Sequence, residues 1–193
     1  VLFNYLQSGG KFMKTKTIVL CAIFAAILCI FSVMTIPIGI VPISMGIFGV
    51  MLTSIILGTK KGTISVIVYI LLGAVGLPVF SGFKGGFQVL LGPTGGYVWS
   101  YILVALLIGL LTSKLPQNKW LAMLKTFIVC LIGIFLCYAA GTAQFMLVQK
   151  TDLIKSLTAC VFPFIPFDII KALIATYLGC TISKALKKAG LIG

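Results

Sequence analysis

The sequence predicts an all-α integral membrane protein with six spanning helices, and three observations carry that prediction. Of the 193 residues, 61% are hydrophobic and only 9% are charged, whereas soluble domains carry roughly half and a quarter. The apolar residues fall into six runs, and the connectors between them alternate between lysine-rich and lysine-poor. Folded in water, such a chain would expose large apolar patches, so the bilayer is the expected solvent.

Residues 1–12, "VLFNYLQSGGKF", read as a tag or linker, with Met13 as the expected native start and 13–193 as one six-helix membrane domain. In the first run, 17–36, the apolar stretch Ile18–Met34 is long for the core of a secretory signal and has no A-x-A-like cleavage site after it, so the run reads as a spanning helix. It carries Ala22 and Ala26 in a small-x-x-x-small pattern, with Ala25 adjacent. That pattern lets another helix approach closely, and internal packing fits it as well as a partner interface does.

The second and third runs, 44–58 and 63–78, are short for the usual ~20-residue crossing and call for tilt, a thinned bilayer or shielding by neighbours. Runs four to six cover 97–113, 120–147 and 166–186. Between the third and fourth lies Phe80–Tyr97, "FSGFKGGFQVLLGPTGGY", with six glycines. Glycine permits positive φ and close backbone approach to a ligand. Gly92-Pro93 and Gly95-Gly96 suggest a rigid turn delivering Tyr97 into run four. The loop reads as a lid over a site or as a plug closing one face.

Lysine placement sets the orientation. Lys14, Lys16, Lys60, Lys61, Lys114, Lys119, Lys184, Lys187 and Lys188 share one face if there are six crossings. The opposite connectors hold Lys84, Lys150 and Lys155, beside Asp152. This asymmetry puts both termini in the cytoplasm and the glycine-rich loop, "IPIGIVPI" and "FPFIPFD" outside. Tyr97, Trp99 and Tyr101 then fall at the outer interface and Trp120 near the inner one.

The same composition excludes several functions. All 15 basic residues are lysine, without the arginine forks that nucleic-acid recognition favours, so no nucleic-acid partner is expected. There is no histidine and there are only two acids, so neither a metal site nor a catalytic triad or acid–base pair is expected. The six cysteines form no C-x-x-C pair and read as small apolar side chains. The loop lacks G-x-x-x-x-G-K-[ST], since Gly85 and Gly86 follow Lys84. The chain reads as a non-enzyme that needs no cofactor.

The sharpest local feature is "PFIPFDIIKALIATYLG". Pro166 suits the first turn of a helix, Asp168 falls in that turn, and Lys171 lies three residues on, on nearly the same face. Both charges sit about 3–8 Å below the outer end. Intramembrane charges cost about 2.5–3.5 kcal/mol each on insertion scales, so they normally face a protein interior or a wet cavity. The plainer alternative is a helix-start acid complementing the dipole beside a snorkelling lysine.

The block "GLPVFSGFKGGFQVLLGPTGGY", followed far downstream by "PFDIIK", resembles the BioY family, the biotin-specific substrate-binding subunits of energy-coupling-factor (ECF) vitamin transporters. Length and six-helix layout extend the resemblance over Met13 to Gly193. It implies an ECF S-component fold in a prokaryotic cell membrane, with biotin held near the outer surface under loops that include the one after helix three. It also implies docking, through the alanine stripe of helix one (Ala22, Ala26), on a transmembrane T protein that carries two cytoplasmic ATPases. Within that resemblance Asp168 is expected to accept from the ureido N–H groups, and Lys171 to meet either the ureido carbonyl or the carboxylate. Tyr97, Gln88 and Gly95 are candidate pocket residues, Lys84 is a candidate carboxylate partner, and Phe80, Phe83 and Phe87 are candidate covers. The bulky run Ser81–Phe83 departs from the family pattern. The competing readings are an ion-coupled carrier for a small organic acid with Asp168 as coupling site, a subunit for another vitamin, and a scaffold without a ligand.

Overall fold

A helix that touches lipid on most sides and protein on one should bury a single stripe at helical spacing, and the first helix does. In α1 (Thr15–Val33) the buried residues are Cys21, Phe24, Ala25, Leu28 and Ser32, steps of three and four that return to one face. Ala22 and Ala26 lie outside that stripe and are exposed, whereas Ala25 is buried. The computed structural model describes residues 15–36 and 41–192; the expected tag at 1–12 and Lys14 lie outside them.

The elements that follow are a two-residue antiparallel ribbon, β1 (Thr35–Ile36) and β2 (Ile43–Ser44), then α2 (Gly46–Ala74), α3 (Phe87–Leu91), α4 (Gly95–Leu111), α5 (Lys119–Gln149), α6 (Leu153–Cys160) and α7 (Ile165–Lys188). Helices α1, α2, α5 and α7 are long and apolar enough to cross a membrane, and α4 is a shorter apolar helix of 17 residues. The fold is that of an all-helical, multi-pass membrane protein.

The sequence marks two runs where the structure has α2. Gly58 breaks that element with φ 73°, in a region that β-carbon-bearing residues avoid. A Cβ on Gly62 would lie 3.2 Å from the Cα of Ser54, although eight residues of straight helix would separate them by about 12 Å. The chain therefore folds back sharply, and α2 is two arms, 46–57 and 59–74. The break falls at Gly58 with helix resuming at once, so the expected connector 59–62 belongs to the second arm. All twelve residues of the first arm are buried, so this short segment is shielded by protein rather than matched to lipid. Helix α2 packs against α1, α4 and α7, and α5 closes the bundle against α4 and α7.

The ends of the bundle differ. At one, Cys21 Sγ donates to Lys61 O at 3.5 Å, Lys16 Nζ donates to Gly190 O, and a Cβ on Gly109 would lie 2.5 Å from Thr59 Cα. The start of α1, the α2 turn, the end of α4 and the end of α7 thus meet there. Asn118 caps α5 at this end, its Oδ1 accepting from Trp120 N at 2.9 Å. The other end gathers the ribbon, the glycine-rich loop, α6 and the start of α7. A small second core of Val41, Ile43, Phe145, Cys160, Val161 and Phe164 forms there.

Candidate ligand-binding site

Helix α7 starts with Pro166 in its first turn and Asp168 N bonded to Phe164 O. This start turns Asp168 and Lys171 inward, where they are 6% and 7% exposed. Asp168 Oδ1 accepts from Lys171 Nζ at 2.8 Å, and Oδ2 accepts from Tyr138 OH at 2.6 Å. Lys171 Nζ also donates to Ser44 O at 2.7 Å. The ribbon register, Thr35 opposite Ser44 and Ile36 opposite Ile43, holds that carbonyl in place. Ser44 Oγ in turn accepts from Gly46 N at 3.0 Å at the head of α2.

A carboxylate offers about four lone-pair sites and an ammonium three N–H donors. The contacts above use two of each. About two acceptor positions on Asp168 and one N–H on Lys171 remain to be satisfied. The pair lines a cavity of about 80 Å³ at the loop-bearing end. Tyr97 and Tyr101 from α4, Cys137 and Tyr138 from α5, and Ser32 from α1 share its wall. Phe80, Ser81, Val89 and Thr94 form a roof above it.

The roof is fastened at several points. Phe80 N donates to Lys84 O at 2.9 Å, Lys84 N donates to Phe80 O at 3.3 Å, and Gly86 N donates to Gly73 O at 2.7 Å. The Phe80 ring occupies a notch at Gly73, where a Cβ would sit 2.2 Å from its Cζ, and meets Tyr69 edge-on at 5.7 Å. From α5, Gln144 Nε2 donates to both Leu90 O and Gly92 O at 2.8 Å, while Trp99 Nε1 reaches Leu90 O at 3.2 Å. Ser81 Oγ is buried and has no hydrogen-bond partner among the described residues.

Asp168, Lys171 and Tyr97 are thus brought together on one cavity, and Phe80 joins them. Lys84 and Gln88 are exposed and lie outside the cavity lining, as do Phe83 and Phe87, which are 71% and 55% exposed. Gly95 is buried and outside the cavity lining. A Cβ there would meet Leu90 O at 1.9 Å, so its small size serves contact between the roof and α4. Gly141 does the same for Tyr97, whose ring passes where its Cβ would be, and Tyr97 OH then reaches Cys160 O at 3.2 Å. Tyr101 is buried rather than at an interface, whereas Trp99 and Trp120 are 42% and 81% exposed.

Sequence reasoning missed Tyr138, the Ser44 carbonyl, Ser32, Cys137 and Gln144. Tyr138 and Gln144 carried the one available signal, as polar groups inside a long apolar run that need a partner.

The model of the BioY family matches residues 6–188. The chain is 39% identical over 170 residues to "Biotin transporter BioY" of Thermotoga maritima, covering 88% of this chain and 96% of that protein. It is 34% identical to "Probable biotin transporter BioY" of Pyrococcus horikoshii, covering 86% and 95%. Among solved structures it resembles the S-component for biotin from an ECF-type ABC transporter, with a TM-score of 0.80 and 31% identity over 92% of this chain and 95% of that one.

Proposed function

The chain belongs to the BioY family, and on that footing we propose that it binds biotin in the Asp168–Lys171 cavity and serves biotin uptake as the S subunit of an ECF transporter. The observation that carries this reading is the capacity left on the buried pair. A ureido ring presents two N–H donors and one carbonyl acceptor, and about two acceptor positions and one donor remain beside it. Asp168 accepts from the ureido nitrogens, and Lys171 donates to the carbonyl of the same ring. Tyr138 and the Ser44 carbonyl hold the two charged groups still. Tyr97 and Phe80 supply apolar cover, since small-molecule sites are mostly apolar with a few placed polar groups. The carboxylate end of biotin points toward the roof, where the unpartnered Ser81 hydroxyl is available to donate to it.

In this reading the chain crosses the plasma membrane six times, the two arms of α2 counting separately. The lysine-rich end faces the cytoplasm, and the cavity opens outward. Ala22 and Ala26, exposed on α1, are the contact with the transmembrane T protein, whose ATPases drive transport. The chain needs no cofactor of its own, and the ligand is its cargo.

Titration of the purified protein with biotin, followed by calorimetry in detergent with no ion gradient, tests the proposal. Saturable binding at micromolar concentration or below supports it. No binding, or uptake by liposomes that requires a proton or sodium gradient and no coupling proteins, rejects it.

A further inference from the structure

The lysine-rich end holds a second cavity, of about 170 Å³, between α5 and α7. Exposed Lys119 at the start of α5 and Lys184 and Lys187 near the end of α7 line it, with Thr112, Thr181 and Ser183 beside them and Ile55, Leu115 and Met123 as its apolar floor. The chain has only two acids, Asp152 and Asp168. Asp168 is committed to Lys171 and Asp152 faces Lys155 at 3.7 Å, both remote from this cavity. Among the described residues, therefore, none of the three lysines has an ion-pair partner. A general excess of lysine at a membrane surface accounts for scattered, solvated charges. Lys119, Lys184 and Lys187 are exposed like those charges, but they reach one cavity from two helices and share its lining with Ile55, Leu115 and Met123.

We infer that this cavity binds the phosphoryl headgroup of an anionic lipid of the surrounding leaflet, with the three lysines on the phosphate and the first acyl carbons against the floor. Phosphate is the anion that lipids present at this depth, and a basic pocket between spanning helices suits it. The apolar floor favours a lipid over a free anion, because a soluble phosphate has nothing to lay against Ile55, Leu115 and Met123. The site shares no residue with the biotin cavity and stands whether or not that proposal holds.

The test is native mass spectrometry of the full chain released from nanodiscs of phosphatidylglycerol mixed with phosphatidylcholine. Parallel melting curves are taken with added phosphatidylglycerol or inorganic phosphate. The expected result is at least about tenfold preferential retention of phosphatidylglycerol. That preference is lost in the Lys119→Gln/Lys184→Gln/Lys187→Gln variant and kept in Lys60→Gln/Lys61→Gln, which alters the same end outside the cavity. An unchanged melting temperature before lipid addition shows that each variant is folded. Equal retention of both lipids, or equal loss in both variants, overturns the assignment by making the attraction diffuse. Lysine-dependent stabilisation by inorganic phosphate with none by phosphatidylglycerol overturns it in favour of a soluble anion. Loss of coupled uptake in the triple variant at unchanged lipid retention overturns it in favour of a protein partner.

Discussion

The two ends of the bundle treat charge in opposite ways. At the roofed end one carboxylate and one ammonium are buried, and Tyr138, Ser44 and each other satisfy them in part. At the other end Lys119, Lys184 and Lys187 surround a cavity without a carboxylate among the described residues to meet them. A buried charge pair contributes little net stability, but removing one member leaves the other uncompensated. The roofed end holds its charges in a fixed geometry, and in the proposed reading they meet the neutral ureido ring of the ligand. The lysine-rich end leaves its charges exposed and without a carboxylate partner among the described residues.

The sharpest way to break this comparison is Lys171→Ala. It should cost about 3–5 kcal/mol by stranding the buried Asp168 carboxylate, lowering the melting temperature and abolishing biotin binding. The triple glutamine variant at the other end should do neither. Asp168→Asn leaves the Lys171 ammonium uncompensated, so it should also lower the melting temperature, and it should weaken biotin by more than tenfold in a calorimetric titration, because an amide replaces an ionic acceptor. Tyr138→Phe removes one donor to the carboxylate and should weaken binding by at least about tenfold, the low end of about 1.5–3 kcal/mol for a hydrogen bond to a charged group. Gln144→Ala frees Leu90 O and Gly92 O and should speed biotin release several-fold in stopped-flow measurements, with a smaller change in association. Ala22→Leu and Ala26→Leu should leave affinity unchanged, since both side chains are exposed, while abolishing uptake with the coupling proteins. Loss of binding instead would show that these alanines pack inside.

The contrast also explains what the sequence made legible. Asp168 and Lys171 stand out because charge in an apolar helix is expensive, and the lysine asymmetry follows from the same physics. The helices were readable as apolar runs, with α1, α5 and α7 within a few residues of their expected bounds. The Gly58 turn was harder, because one glycine inside a long apolar stretch looks like many others until Gly62 is seen against Ser54. The short helices α3 and α6 lay hidden in polar or glycine-rich connectors. Phe80, Phe83 and Phe87 are alike in sequence, and only the notch at Gly73 selects the first for the cavity. The partner of Lys171 is a backbone carbonyl, which has no signature in sequence. Gly95, expected as a pocket residue, packs against Leu90 O and is not among the residues that line the cavity.

A structure of the protein with biotin bound tests the central claim most directly. Both ureido nitrogens should lie within about 3.2 Å of the Asp168 carboxylate and the ureido oxygen within the same reach of Lys171 Nζ. Biotin seated elsewhere, with the Asp168–Lys171 pair making no contact to it, would contradict the account.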